Sequence, residues 1–255
     1  MQHTLDNKVV FITGSSQRVG AATARLLHER GWRVIIHYRH SELAAHALVD
    51  TLNQVRPTSA AALHADLDAV HLFSQLAEQA YAIFGRIDAL VNNASTFYAT
   101  PIAEANIQQW DDLFSSNARA PFFLSQALRP YLQQQDGCIV NIVDIHAERP
   151  FRDYSIYCMA KAALQMMTYA LAKELAPFIR VNGVAPGAIL WPAADTVSAI
   201  NESQQQEILS SVPLARSGSP SDIARTVAFL LDDAPYITGQ IIAVDGGRRH
   251  TLGKE

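Results

Sequence analysis

Tyr157 and Lys161 stand four residues apart in YCMAK, and Asp144 in NIVD precedes the tyrosine by thirteen positions. Side chains at i and i+4 of a helix point the same way. An ammonium at 161 can therefore stabilise a phenolate at 157 and lower its pKa, which makes the phenol a proton donor usable near neutral pH. The same spacing also occurs on ordinary surface helices. What raises the pair above that reading is its company, TGSSQRVG at residues 13–20 and NNAS at residues 92–95.

Glycines between a first strand and its helix let the backbone approach a pyrophosphate, whose charge then sits at the helix N-terminus. Gly14 and Gly20 hold the outer positions of such a turn, with Arg18 between them. The guanidinium of Arg18 is either a solvated turn residue or a donor of charge-assisted hydrogen bonds to an acceptor-rich group nearby. Roughly 20 residues further on, the end of a second strand meets the ribose of a dinucleotide, where an acid would accept the 2′-hydroxyl of NAD. The chain has Tyr38, Arg39, His40 and Ser41 there instead. With no carboxylate in that run to repel a 2′-phosphate, and with Arg39 and Ser41 able to bind one, NADPH is expected over NADH.

Asp144 and Phe97 bear on the substrate. A carboxylate accepts hydrogen bonds and donates only when protonated, so Asp144 suits a substrate that presents N–H groups or needs a proton relayed to a ring nitrogen. A turn cap is its other reading. Phe97 can stack a planar heterocycle against a nicotinamide, or fill core.

The elements needed to hold these residues follow from periodicity. KVVFIT (8–13), RVIIHY (33–38), residues 60–64, 89–91, 138–142, RVNGV (180–184) and IIAV (241–244) read as strands. Helical spacing predicts helices over 19–30, from Ser41 through Leu52, over 70–84, as one long helix over 107–134, and over 155–175. This alternation predicts a single α/β domain over residues 1–255, a doubly wound Rossmann-type parallel sheet with helices on both faces. The long irregular stretch between Pro186 and Ser219 is either a variable loop or a substrate loop, at about 187–218, that closes over the ligand near Trp191.

A formal charge of −4, with 17% charged residues and no basic run, leaves no footprint for nucleic acid or an anionic membrane surface. No apolar stretch is long enough to span a bilayer, and MQHTLDNK lacks the apolar centre of a secretory signal, so a cytoplasmic location is expected. Cys138 and Cys158 lack metal-ligand spacing and read as reduced packing residues, although Cys158 adjoins the proposed acid. No metal is expected.

TGSSQRVG, NNAS and YCMAK, in this order across essentially all 255 residues, resemble the short-chain dehydrogenase/reductase family. The family pattern TGxxxGxG expects glycine where this chain has Arg18, serine where it has Asp144, and glycine where it has Ser95. With Phe97 and the run HYRHS (37–41), these departures resemble the pteridine reductase branch. The resemblance implies a cofactor site of Gly14, Arg18, Val19, Gly20, the 38–41 run, Asp66 and Leu67 at the adenine, Asn93, Ala94, Ser95, Tyr157, Lys161, Pro186 and Gly187. It implies a pterin stacked on Phe97 and hydrogen-bonded by Arg18, Ser95, Asp144 and Tyr157, with Asn117 organising a water near Lys161, and a homotetramer built on the helices from Ile107 and around Tyr157. Hydride from NADPH would then reach a C=N carbon of a pterin or dihydrofolate, while Tyr157 and Asp144 protonate nitrogen. The rivals are a carbonyl or 3-oxoacyl-thioester reductase, which favours serine at 144, and a non-catalytic NADPH-binding regulator, which has no need of the Tyr/Lys pair.

Overall fold

The computed structural model describes residues 7–189 and 201–250; Trp191 lies outside them. Seven parallel strands form one sheet in the order β3-β2-β1-β4-β5-β6-β7: β1 Val9–Ile12, β2 Arg33–Tyr38, β3 Ala60–His64, β4 Ala89–Asn92, β5 Cys138–Ile142, β6 Arg180–Pro186 and β7 Ile241–Val244. Strand β1 shows why its sequence is an unbroken apolar run. Side chains alternate across a sheet, so Val10 and Ile12 enter one core layer while Val9 and Phe11 enter the other.

The first layer is completed by α1 (Arg18–Glu29), α2 (Glu42–Val55) and α8 (Pro220–Ala228), through Leu27, Leu48, Leu52 and Val227. The second is completed by α3 (Phe73–Phe84), α5 (Ala120–Gln133) and α6 (Ser155–Glu174), through Leu76, Leu124, Leu128 and Leu164. Burying each such leucine stabilises the fold by roughly 1.5–3 kcal/mol. Truncating one, such as Leu128→Ala at the centre of the second layer, would cost about 2–5 kcal/mol. Between β1 and β4 the strand order reverses direction, and at that point the carboxyl ends of an open sheet leave a crevice.

Two expectations about the elements are corrected. The long helix of 107–134 is interrupted: α4 covers Ile107–Phe114, a π-helical turn covers Ser115–Arg119, and α5 follows. Pro121 has no N–H to give the carbonyl four residues back, at Asn117, and the Asn117 amide itself donates to the Leu113 carbonyl at 2.9 Å. Both loosen the α-helical ladder at this turn. The stretch after Pro186 is not irregular throughout, because α7 occupies Glu202–Ser210. Its signal is present in the sequence, an Asn201/Gln204 capping box in which each side chain bonds the other's backbone N–H. Ser219 and Asp222 form the same device around Pro220 at the start of α8.

Among the described residues no helix is long and apolar enough to cross a membrane, and no group of three His, Cys, Asp or Glu residues could hold a metal ion. Cys138 and Cys158 are free and buried. Burial pushes the Cys138 thiol up to about 11. It also raises Cys158, whose sulfur accepts the Phe151 N–H at 3.4 Å. Neither is an activated nucleophile.

Candidate active site

The crevice at the carboxyl ends of the strands is a cleft of about 760 Å³. Its floor is built by β5 and α6. Strand β5 ends one residue before Val143, and Asp144 follows in extended conformation. One Asp144 oxygen accepts the His146 N–H at 2.9 Å, capping a 3-10 turn, while the other accepts the Tyr157 hydroxyl at 2.8 Å. Asp144 thus caps the turn with one oxygen and meets the Tyr157 hydroxyl with the other.

One turn further along α6, the Lys161 ammonium donates to the Ile142 carbonyl at 3.0 Å. It lies 5.7 Å from the centre of the Tyr157 ring. Lys161 and Tyr157 are only 2% and 4% exposed, so both titrate away from their ordinary values. Burial brings the ammonium down to about 8, with the Asp144 charge pulling the other way. Burial, the Asp144 charge and the hydrogen bond to Asp144 together hold the phenol well above its usual range. The expected depression of the tyrosine by Lys161 is therefore corrected: burial first, then the charge and hydrogen bond of Asp144, hold the phenol protonated.

The glycine turn forms the next wall. Gly14 has φ +59°, a left-handed backbone, and a Cβ there would meet Ala94 Cα at 3.0 Å. A Cβ on Gly20 would meet Ser15 Cα at 2.6 Å and Asn93 Nδ2 at 2.7 Å, so α1 can pack this close to the β4 exit only with glycine at 20. Arg18, where the family pattern expects glycine, also has positive φ, +52°. A non-glycine residue there costs roughly 1–2 kcal/mol, and in return an exposed guanidinium stands on the rim of the cleft. Asn93 ties the turn to β4 by donating to the Thr13 and Gly14 carbonyls, while Thr13 Oγ1 accepts the N–H groups of Asn93 and Ala94.

Tyr38, Arg39, His40 and Ser41 line the far end of the cleft, with Leu67. Arg39 pairs with Asp66 and Asp68, each at 3.1 Å. Carboxylates absent from the local sequence thus reach the site from β3's exit. Asp66 is turned to Arg39 rather than lining the cleft, and Asp68 lines it instead. Asp68 also accepts from Ser115, whose hydroxyl receives the Arg119 guanidinium at 2.6 Å. This chain of contacts joins the far end to the π-helical turn that carries Asn117.

Val19, Ser95, Phe97, Pro186 and Gly187 line the cleft as the sequence suggests. Asn117 stands behind it, fully buried: its carbonyl accepts the Ser95 hydroxyl at 2.8 Å and its amide donates to the Thr96 and Leu113 carbonyls. Phe97 is 38% exposed, stacked on Tyr154 at 4.6 Å and edge-on to Tyr157 at 4.8 Å. The stack continues through Phe151 to His146, at 4.7 and 4.9 Å. Sequence reasoning passes over Asp68, His146, Phe151 and Tyr154, which line the cleft together with His37 and Arg248. The FRDY segment holds the clearest unread signal, two aromatics three apart just before YCMAK.

A family model described as enoyl-(acyl carrier protein) reductase matches residues 14–249. The chain belongs to the short-chain dehydrogenase/reductase family. Among its relatives, pteridine reductase 1 of Leishmania tarentolae is 37% identical, over 94% of this chain and 95% of that one. A 3-oxoacyl-[acyl-carrier-protein] reductase of Staphylococcus epidermidis is 34% identical, over 94% and 98%. An uncharacterised oxidoreductase of Methylorubrum extorquens is 34% identical, over 96% and 99%. Membership makes the chain an oxidoreductase of this family.

Proposed function

We propose that the protein is an NADPH-dependent pteridine reductase, converting dihydropterins or dihydrofolate to their tetrahydro forms. The observation that carries this reading is the Tyr157 hydroxyl donating to Asp144 at 2.8 Å on the floor of a cleft walled by Phe97. A carbonyl reductase needs one donor aimed at one oxygen. A C=N bond in a ring flanked by N–H groups needs an acceptor and a donor side by side, which this pair supplies.

The cleft fits a dinucleotide: the glycine turn leaves no Cβ between it and the diphosphate, Arg39 and Ser41 stand where a 2′-phosphate would be held, and Lys161 lies at the nicotinamide end. When bound, the reduced cofactor supplies hydride to the C=N carbon. Phe97, packed on Tyr154 and 38% exposed, would stack the substrate ring with its exposed part, and Arg18 and Ser95 would bind the ring's polar edge. Tyr157 releases its proton to the ring nitrogen and regains one from solvent after the product leaves, while Asp144 accepts the hydrogen bond of the restored hydroxyl. Lys161 keeps a positive charge beside the developing phenolate.

The relation to 3-oxoacyl reductases supports a second reading, reduction of a thioester-borne ketone. NADPH oxidation followed spectrophotometrically with dihydrobiopterin, dihydrofolate and an acetoacetyl thioester decides between them. Turnover of a pterin at least tenfold faster in kcat/KM than of the thioester is expected; the reverse order refutes the pterin reading. We propose also that the chain assembles as a homotetramer in the cytoplasm, supported by outward Phe122, Phe123, Met166 and Tyr169 on α5 and α6. Light scattering on the purified protein tests the assembly.

A further inference from the structure

We propose that His37, which no part of the mechanism above uses, is a positioning residue that sets the glycine turn against β2 and so tunes dinucleotide affinity. His37 is 2% exposed, near the end of β2, with its ring edge-on to Phe11 at 6.2 Å. Its Nδ1 accepts the Gly14 N–H at 2.9 Å, and its backbone carbonyl accepts the Ser15 N–H at 3.0 Å. The first two amides of the turn are thus both held by one residue. Ser16 to Gly20, which follow, line the cleft.

The other ring nitrogen, Nε2, lies 3.2 Å from the Ala65 carbonyl. An N–H donor at Gly14 and a carbonyl at Ala65 allow one protonation state only, the neutral ring with its hydrogen on Nε2. Burial favours that same state, bringing His37 down to about 4, with His64 lowering and the Ala65 bond and Asp66 raising it. Ala65 precedes Asp66, the partner of Arg39. The imidazole therefore bolts together the two loops that flank the dinucleotide: the diphosphate turn and the β3 exit.

This role rests on the cofactor reading, and the test separates the two. NADPH affinity is measured by fluorescence titration for the wild type, His37→Leu and His37→Asn. Asparagine places a carbonyl oxygen near the position of Nδ1 and keeps the acceptor for Gly14; leucine keeps nothing. Leaving one buried donor unmatched is expected to weaken NADPH binding about tenfold in His37→Leu, with kcat at saturating cofactor within about twofold of wild type. His37→Asn should recover most of the affinity. Equal affinity in wild type and His37→Leu, or equal losses in both variants, overturns the proposal. Should His37→Leu not fold, the asparagine variant and nitrogen NMR of the wild-type ring decide: a ring protonated at Nδ1 overturns the role, and one protonated at Nε2 alone with near-native affinity in His37→Asn supports it. A wild type that binds neither NADPH nor NADH refutes the cofactor reading instead.

Discussion

The two ends of the cleft use charge in opposite ways. At the Arg39 end, where the proposal puts the ribose, Arg39, Asp66 and Asp68 are each 40–46% exposed, so their pairing is screened by water and contributes little to stability. At the floor Lys161 and Tyr157 are buried, and the same kinds of group are displaced from their ordinary titration ranges. The exposed end can exchange partners cheaply, which suits the proposed binding and release of a charged cofactor. The buried end holds its proton in one place, which suits the proposed proton transfer.

The comparison is broken most sharply at the floor. Replacing Tyr157 with phenylalanine removes the proton donor and should lower kcat by about a thousandfold while NADPH affinity, measured by fluorescence, stays unchanged; a residual rate within tenfold of wild type would remove Tyr157 from the mechanism. Asp144→Ser restores the family's usual hydroxyl. It is expected to reduce kcat/KM for dihydrobiopterin on the order of a hundredfold and to improve turnover of a ketone, and loss of both activities together would mean that Asp144 only shapes the floor.

Lys161 links activity to pH. Its folded-state value of about 8 lies below the ordinary 10.5, so kcat/KM should fall above pH 8 as the ammonium loses its charge. The stability effect has the other sign. Below pH 8 the lysine is charged in both states and its burial is a cost; between 8 and 10.5 only the unfolded chain holds the proton, and rising pH relieves that cost. Denaturation of wild type and Lys161→Met across this window should show the difference moving in the wild type's favour by roughly 3 kcal/mol. A constant difference would mean that the ammonium is solvated.

The smallest effect is expected at the screened end. Arg39→Ala should raise the KM for NADPH about tenfold and leave NADH nearly unchanged, with unfolding temperature little altered. Equal effects on both cofactors would show that Asp66 and Asp68 neutralise Arg39 too fully for it to recognise a 2′-phosphate.

Most strands are legible in the residues themselves because a parallel strand buried on both faces is a nearly continuous apolar run, as in VVFI and, apart from Asn92 and Asn141, in ALVN and CIVNI. The helix interruption at Ser115–Arg119 is harder to see, since apolar periodicity runs through it and only Pro121 marks the place. Helix α7 escapes a reading by periodicity although its capping box is there, because its apolar face is weak and none of its residues is buried. At the site, Asp144, Tyr157 and Lys161 are legible from residue type and spacing.

What the sequence determined by itself is the doubly wound α/β sheet, the glycine turn and the identity of the groups on the cleft floor, because periodicity and short-range spacing are local properties of the chain. What only the tertiary structure decided is which partner each group meets. Asp66 and Asp68 come to Arg39 across 27 and 29 residues, His37 meets Gly14 across 23, and Asp144 meets the buried Tyr157 hydroxyl across 13. Distance and burial set those electrostatics, and neither exists until the strands are side by side.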